Sequence, residues 1–232
     1  MEKLLYLIEA PSGAASEGFS SALRLSLVPA LRAAGARGVQ INVVDDAVAA
    51  GAPLRQVNSS VAFDGMLTLW LDSAYDHRRI EDVLKPFVRR YAGYVVLESE
   101  RVPNTLHRAA PGQRTHGYSQ VVTLQRPPRL THEAWFDYWQ KVHAQIGIEI
   151  QSTFRYVQNI VVRRLTYDAP VIDAVVEECF PTEAMTDPHM FYNVPGDEAA
   201  YQARFQQMMD SCNRFIDFDR IDVLLTSEYV MG

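Results

Sequence analysis

Apolar residues along this chain follow two rhythms, strand-length runs and longer stretches in which they recur every three or four positions, and the two alternate in a fixed order. In the first half "KLLYLIEA" reads as a strand. Residues 16–34 keep a helical period, with Ser16 placed to cap the start and Gly35 to stop the end. "VQINVVD" and "FDGMLTLWL" follow as strands, "HRRIEDVLKPFVRRY" as a helix and "YVVLESERV" as a closing strand, which is βαββαβ. The second half repeats the series: "YSQVVTLQRP", a helix capped near Thr131, "YVQNIVVRRLT", "VIDAVVEECF", a helix over "DEAAYQARFQQMMDSCNRFI", and "RIDVLLTSEYVM".

The repeat shows in residues too. "LESERV" at 97–102 lines up with "LTSEYV" at 225–230, at the same element of both series. Between the halves "PNTLHRAAPGQRTHG" has no apolar periodicity and reads as a connector, so the expected units are 1–102, a linker over 103–117, and 118–232. Each βαββαβ unit implies a four-stranded antiparallel sheet with both helices on one face, a ferredoxin-like repeat. Strands such as "NIVVR" and "DVLLT" are apolar on both parities, so the open face needs a cover too. The other half's sheet supplies it. The expectation is an α+β fold in which the repeats pack sheet to sheet as a barrel within one chain, with no second copy required and a homodimer left open.

Composition narrows the setting. The chain has 232 residues, is 48% hydrophobic and 22% charged, and carries a formal net charge of -6. Its Lys and Arg are too few and too mixed with acids to neutralise a phosphate backbone, so no nucleic-acid partner is expected. Cys179 and Cys212 lie in apolar surroundings and read as reduced core thiols. The apolar run in "MEKLLYLIEAP" is too short for a membrane span or signal, which gives a cytoplasmic expectation with no membrane partner. No phosphate-cradling, nucleophile-elbow or zinc motif is present, and His107, His116 and His132 lack metal-ligand spacing, so no cofactor and no metal are expected.

Candidate chemistry gathers on one helix. In "FDYWQKVHAQI" Phe136, Trp139 and His143 fall at i, i+3 and i+7, with Trp135 on the same inward stripe. A neutral imidazole beside aromatic walls suits acid–base work on an apolar substrate, and His143 is the candidate catalytic residue. The plainer reading is a core histidine bonded to a backbone carbonyl. Aligning the first half's helix puts Leu27, or Ser26 with a one-residue slip, at the place of His143, so the architecture does not require an imidazole there. Tyr138 falls about 140° away on an ideal helix and is left out. Of the adjacent Glu177 and Glu178, one must face a buried layer where a carboxylate needs a partner. That carboxylate either orients His143 or, as the plainer reading, forms an internal salt bridge with Arg163 or Arg164 of the preceding strand, and Glu177 is taken as the candidate substrate contact. "TDPHMFYNVPGDE" places His189, Phe191 and Tyr192 where they could cover a pocket.

"LTHEAWFDYWQKVHAQI" resembles the first-helix signature of EthD-domain proteins, where a Phe, a Trp and a His followed by Ala recur at this spacing, and "DSCNRFIDFDRIDVLLTSEYV" is similar to that family's ending. The match lies in the second half, with Gln145 where the family commonly has proline. The resemblance implies membership of the dimeric α+β barrel superfamily, whose enzymes include lactone isomerases, polyketide cyclases, cofactor-free monooxygenases and haem-dependent enzymes. Fold alone does not choose among these. The expected function is a cofactor-independent acid–base enzyme of dehydratase, isomerase, cyclase or lyase type, acting on a small hydrophobic or aromatic catabolic intermediate. The competing class is a non-catalytic protein that holds such a ligand in a degradation pathway. A third is a haem-binding relative with His143 or His189 as axial ligand.

Overall fold

Strand β1, Glu2–Glu9, is buried at every position from Lys3 to Ile8, so it is covered on both faces. The computed structural model describes residues 1–58 and 62–232. After β1 come a helix over residues 16–33 (α1), β2 at Arg37–Val43, β3 at Gly65–Leu71, α2 at His77–Leu84 and β4 at Arg90–Val102. The second half has β5 at Tyr118–Leu124, a helix over residues 132–150 (α3), β6 at Arg155–Arg164, β7 at Ala174–Phe180, a short α4 at Pro188–Phe191, α5 at Glu198–Phe215 and β8 at Asp222–Val230. Both long first helices carry a π-helical turn at the same place, Leu23–Leu27 in α1 and Trp139–His143 in α3.

Within each half the strands pair in ferredoxin-like order, β4-β1-β3-β2 and β6-β7-β5-β8, and the outer strands join across the halves as β2–β8 and β4–β6. The result is a closed eight-stranded antiparallel barrel, the fold that the period-two runs predict, in which every strand among the described residues has a neighbour on both sides. Two local expectations change. The helix read through "HRRIEDVLKPFVRRY" stops at Leu84: Lys85 keeps helical angles, but Pro86 has no N–H to give the Asp82 carbonyl, so residues 85–87 tighten into a 3-10 turn and Arg90 already belongs to β4. Ser16 is not the cap of α1. Ala15 holds that position without a side-chain bond, while Ser16 Oγ donates to Asp46 Oδ1 at 2.5 Å.

The barrel interior divides in two. Leu5, Leu7, Met66, Tyr94, Val121, Val175 and Leu224 fill one part with apolar packing. The other holds a buried charged network in which Glu177 accepts from Gln40 Nε2 at 2.5 Å and Asn159 Nδ2 at 2.8 Å and pairs with Lys3 at 3.7 Å and Arg155 at 3.5 Å. Burial alone would push the Glu177 carboxyl up, but these partners outweigh it and hold it below the usual carboxylate range. The expected partners Arg163 and Arg164 sit elsewhere: Arg164 donates to the Ala169 carbonyl at 3.1 Å. Outside the barrel, α1 and α2 close over a filled layer of Leu4, Tyr6, Leu23, Leu27, Leu31, Leu67, Leu69, Leu71 and Ile80, all at 0% exposure.

Candidate active site

On the second half's outer face the corresponding layer is open. Helix α3 begins after Thr131, whose side chain accepts from Ala134 N at 3.2 Å, and it turns Trp135 and Trp139 onto the sheet with ring centroids 5.3 Å apart. Between α3, α5, the α4 segment and the outer faces of β5, β7 and β8 lies a cavity of about 570 Å³. Its walls are mostly apolar, with Val122, Leu124, Val176, Met208, Phe215 and Ile221 among them. The size and apolar lining are those of a small-molecule site. Leu54 and Gln56 of the first half complete the rim, and Gln56 is fixed there by a two-way backbone pairing with Val223 at 3.0 Å each.

Few polar groups reach this cavity. His143 closes the π-helical turn of α3, and its Nδ1 lies 2.9 Å from Ser211 Oγ on α5. Ser211 is buried and also takes the Tyr138 hydroxyl proton at 3.2 Å. A serine that accepts from Tyr138 has its own proton to give to Nδ1, which places the imidazole proton on Nε2. Burial pushes the ring's pKa down to about 4, so His143 is neutral at pH 7. The π-helical turn also explains why Tyr138, set aside on ideal-helix geometry, joins this chain of bonds. An i→i+5 turn brings residues five apart onto one side.

Glu178 sits in the centre of the sheet floor, paired across β5 with Gln120 and across β6 with Tyr156. Same-face neighbours in such pairs stand roughly 5 Å apart at Cβ. Among the described residues its carboxyl has neither a hydrogen-bond nor an ion-pair partner, and burial pushes its pKa up to about 7. Tyr156 Oη accepts from Trp139 Nε1 at 3.2 Å and Gln158 Nε2 at 2.9 Å. Cys212 also lines the cavity, but burial pushes its thiol up to about 12, too high for a nucleophile near neutrality.

Of the residues singled out by sequence, His143, Trp139, Phe191 and Tyr192 lie on the cavity wall. The other four do not. Trp135 is packed beneath α3, and Phe136 stacks on His132 with centroids 5.9 Å apart. His189 is held by Glu198 at 2.9 Å and Asp187 at 3.3 Å. Glu177 faces the barrel interior, since adjacent strand residues point to opposite faces. Gln120 and Ser211 are not singled out by the sequence, Tyr138 is set aside there on ideal-helix geometry, and Glu178 enters it only beside Glu177, which is taken as the contact. No local signal separates Glu177 from Glu178, because which of them faces the cavity is set by the pairing of β7 with β5 and β6.

Residues 127–219, within the second half, match the family model of the EthD domain. The chain is similar over 100% of its length to 93% of an anthrone oxidase-like protein, at 10% identity and a TM-score of 0.57. It is similar to a proposed monooxygenase from Lactobacillus acidophilus (7% identity, 100% and 96% coverage, TM-score 0.49) and to chlorite dismutase from Candidatus Nitrospira defluvii in complex with imidazole (10% identity, 99% and 91% coverage, TM-score 0.46). At these identities the likeness is one of fold. No curated protein matches the chain in sequence.

The donor set does not fit a haem. No Lys or Arg among the described residues lines the cavity to take two propionates, and both nitrogens of His189, which is not on the cavity wall, face carboxylates, those of Asp187 and Glu198. Among the described residues no group of three His, Cys, Asp or Glu side chains could hold a metal ion, and no helix is long and apolar enough to cross a membrane.

Proposed function

We propose that this chain is a cofactor-independent enzyme that moves protons on a small hydrophobic or aromatic molecule, with Glu178 as the acid–base group and His143 as a neutral hydrogen-bond donor. The single observation that carries the reading is the unpartnered Glu178 carboxyl, about half ionised near pH 7, on the floor of an apolar cavity. A group poised at the operating pH can take a proton and return it, which is what general acid–base work requires. An imidazole titrating near 4 is a poor base at neutrality, and its Nε2–H suits a different task. It supports the charge that grows on a carbonyl oxygen as a neighbouring C–H is deprotonated.

In the step so described, Glu178 takes a proton from carbon and the C–H electron pair moves into an enolate whose oxygen accepts from His143. Return of the same proton at another carbon gives isomerisation. Expulsion of a β-hydroxyl, protonated as it leaves, gives dehydration. The apolar cavity favours such chemistry because a carboxylate stripped of water is a stronger base.

The test uses anthrone, a ketone with acidic benzylic hydrogens, in D2O. The protein is expected to accelerate deuterium wash-in at that carbon, and Glu178→Gln to abolish the acceleration while retaining a cooperative melting curve. Full acceleration in Glu178→Gln would remove the carboxylate from the mechanism. Anthrone binding without exchange would favour the second reading, a ligand-holding protein, which the apolar rim at Leu54, Phe205 and Phe218 supports.

A further inference from the structure

We infer that the cavity selects an uncharged molecule bearing an oxygen acceptor and rejects carboxylates and phosphate esters of the same size. The inference rests on reading this cavity as the ligand site, but not on catalysis there. The ionisable acids on its wall are Glu178 and Asp187, and no Lys or Arg among the described residues joins them. The guanidiniums of the surrounding elements are tied down elsewhere. Arg129 donates to the Asn213 and Ile216 carbonyls at the end of α5, and Arg204 to the carbonyls of Ile150, Tyr192 and Asn193. Arg101 is held on Gln140. Arg155 and Lys3 lie inside the barrel on Glu177, Glu228 and Glu98, across the sheet from the cavity.

What faces a ligand is a set of neutral donors. The hydrogen-bond chain from Tyr138 through Ser211 leaves the His143 Nε2–H without a partner among the described residues. Tyr156 Oη already accepts two bonds, so its own proton is available, and the Gln120 amide stands on the other side of Glu178. A carbonyl or phenolic oxygen satisfies these donors. An anion would lose its hydration without gaining a counter-charge and would meet the Glu178 carboxylate besides.

The decisive experiment compares 2-naphthol with 2-naphthoate, which share a ring system and differ in charge, by calorimetric titration at pH 8 and pH 6. Over this range a phenol with a pKa near roughly 10 stays neutral, and a carboxylic acid with a pKa near roughly 4 stays ionised. At pH 8 the naphthol is expected to bind at least tenfold more tightly. At pH 6 Glu178 takes up a proton, so the naphthoate should gain affinity while the naphthol does not. Glu178→Gln should narrow the gap at pH 8, and the two pH arms on the unmodified protein decide the matter even where that variant folds poorly. Equal or tighter naphthoate binding at pH 8, or no saturable naphthol binding, overturns the inference. Loss of anthrone exchange with the naphthol preference intact would instead overturn only the catalytic reading.

Discussion

The two halves share a helix with a π-helical turn lying over an antiparallel sheet, and they differ in what fills the space between. In the first half the last residue of that turn is Leu27, and the fifth residue of the seven-residue strand β3 is Leu69, both at 0% exposure in a filled layer. In the second half the same places hold His143 and Glu178, facing a cavity of about 570 Å³. Filling the layer with leucine stabilises a fold by about 1.5–3 kcal/mol for each side chain fully buried. The second half forgoes that gain and places an unpartnered carboxyl there. The architecture needs neither polar group, since the first half does without both, so the difference between the halves marks where this molecule departs from stability alone.

Removing the carboxylate should change the second half most. Glu178→Gln is expected to lower turnover, or anthrone exchange, by about 10²- to 10⁴-fold, the scale of one proton-transfer group. The reverse graft, Leu69→Glu, should give the first half no activity, because no cavity receives the new carboxyl. It is expected to cost about 4 kcal/mol in urea unfolding at pH 7, the scale of an uncompensated buried charge. A Leu69→Glu chain as stable as its parent would mean that the first half's layer is not the filled core described above.

Adjacent residues sharpen the contrast with opposite signs. Glu177→Gln removes the partner of Lys3 and Arg155 inside the barrel and is expected to destabilise by about 3 kcal/mol at pH 7. Glu178→Gln should do the opposite at high pH. The folded carboxyl titrates near 7 and the unfolded one near 4.5, so between these values the native state holds more protons, and stability from this group falls as pH rises. The full shift would be worth about 3.4 kcal/mol at about 1.36 kcal/mol per unit, and the open cavity reduces it. Glu178→Gln is therefore expected to be about 2 kcal/mol more stable than the parent at pH 8 and equal to it near pH 4. Melting curves of both variants across that range read the two signs directly.

How far the sequence carried this picture follows from the physics of each element. Both βαββαβ series were legible because period-two and period-3.6 patterns record which face is covered, and apolar strands on both parities pointed to the barrel. His143, Trp139, Phe191 and Tyr192 were legible as an aromatic setting for an imidazole. The choice between Glu177 and Glu178 was not, because alternation says that they face opposite ways without saying which way. That is set by the registers Gln120↔Glu178 and Val121↔Glu177, which are long-range. The π-helical turn was equally hidden, and with it the Tyr138–Ser211–His143 chain.

The gentlest test concerns how each half starts its first helix. Thr131 caps α3 through its side chain, whereas Ala15 stands at the cap of α1 with φ -70° and ψ 141° and nothing to offer the free N–H groups. Those angles are in the extended region that serine adopts at a cap, and Ala15 is exposed, so a hydroxyl there meets no packing. Ala15→Ser is expected to stabilise by about 0.5–1 kcal/mol, and Thr131→Ala to cost about 1 kcal/mol. The second loss should carry a further consequence that the first gain does not. Thr131 sets the start of the helix that carries His143 to the cavity, so fraying there should weaken 2-naphthol binding, while Ala15→Ser leaves it unchanged. Equal effects of the two substitutions on naphthol affinity would mean that the two helices are coupled through the barrel, and that the cavity is not the second half's alone.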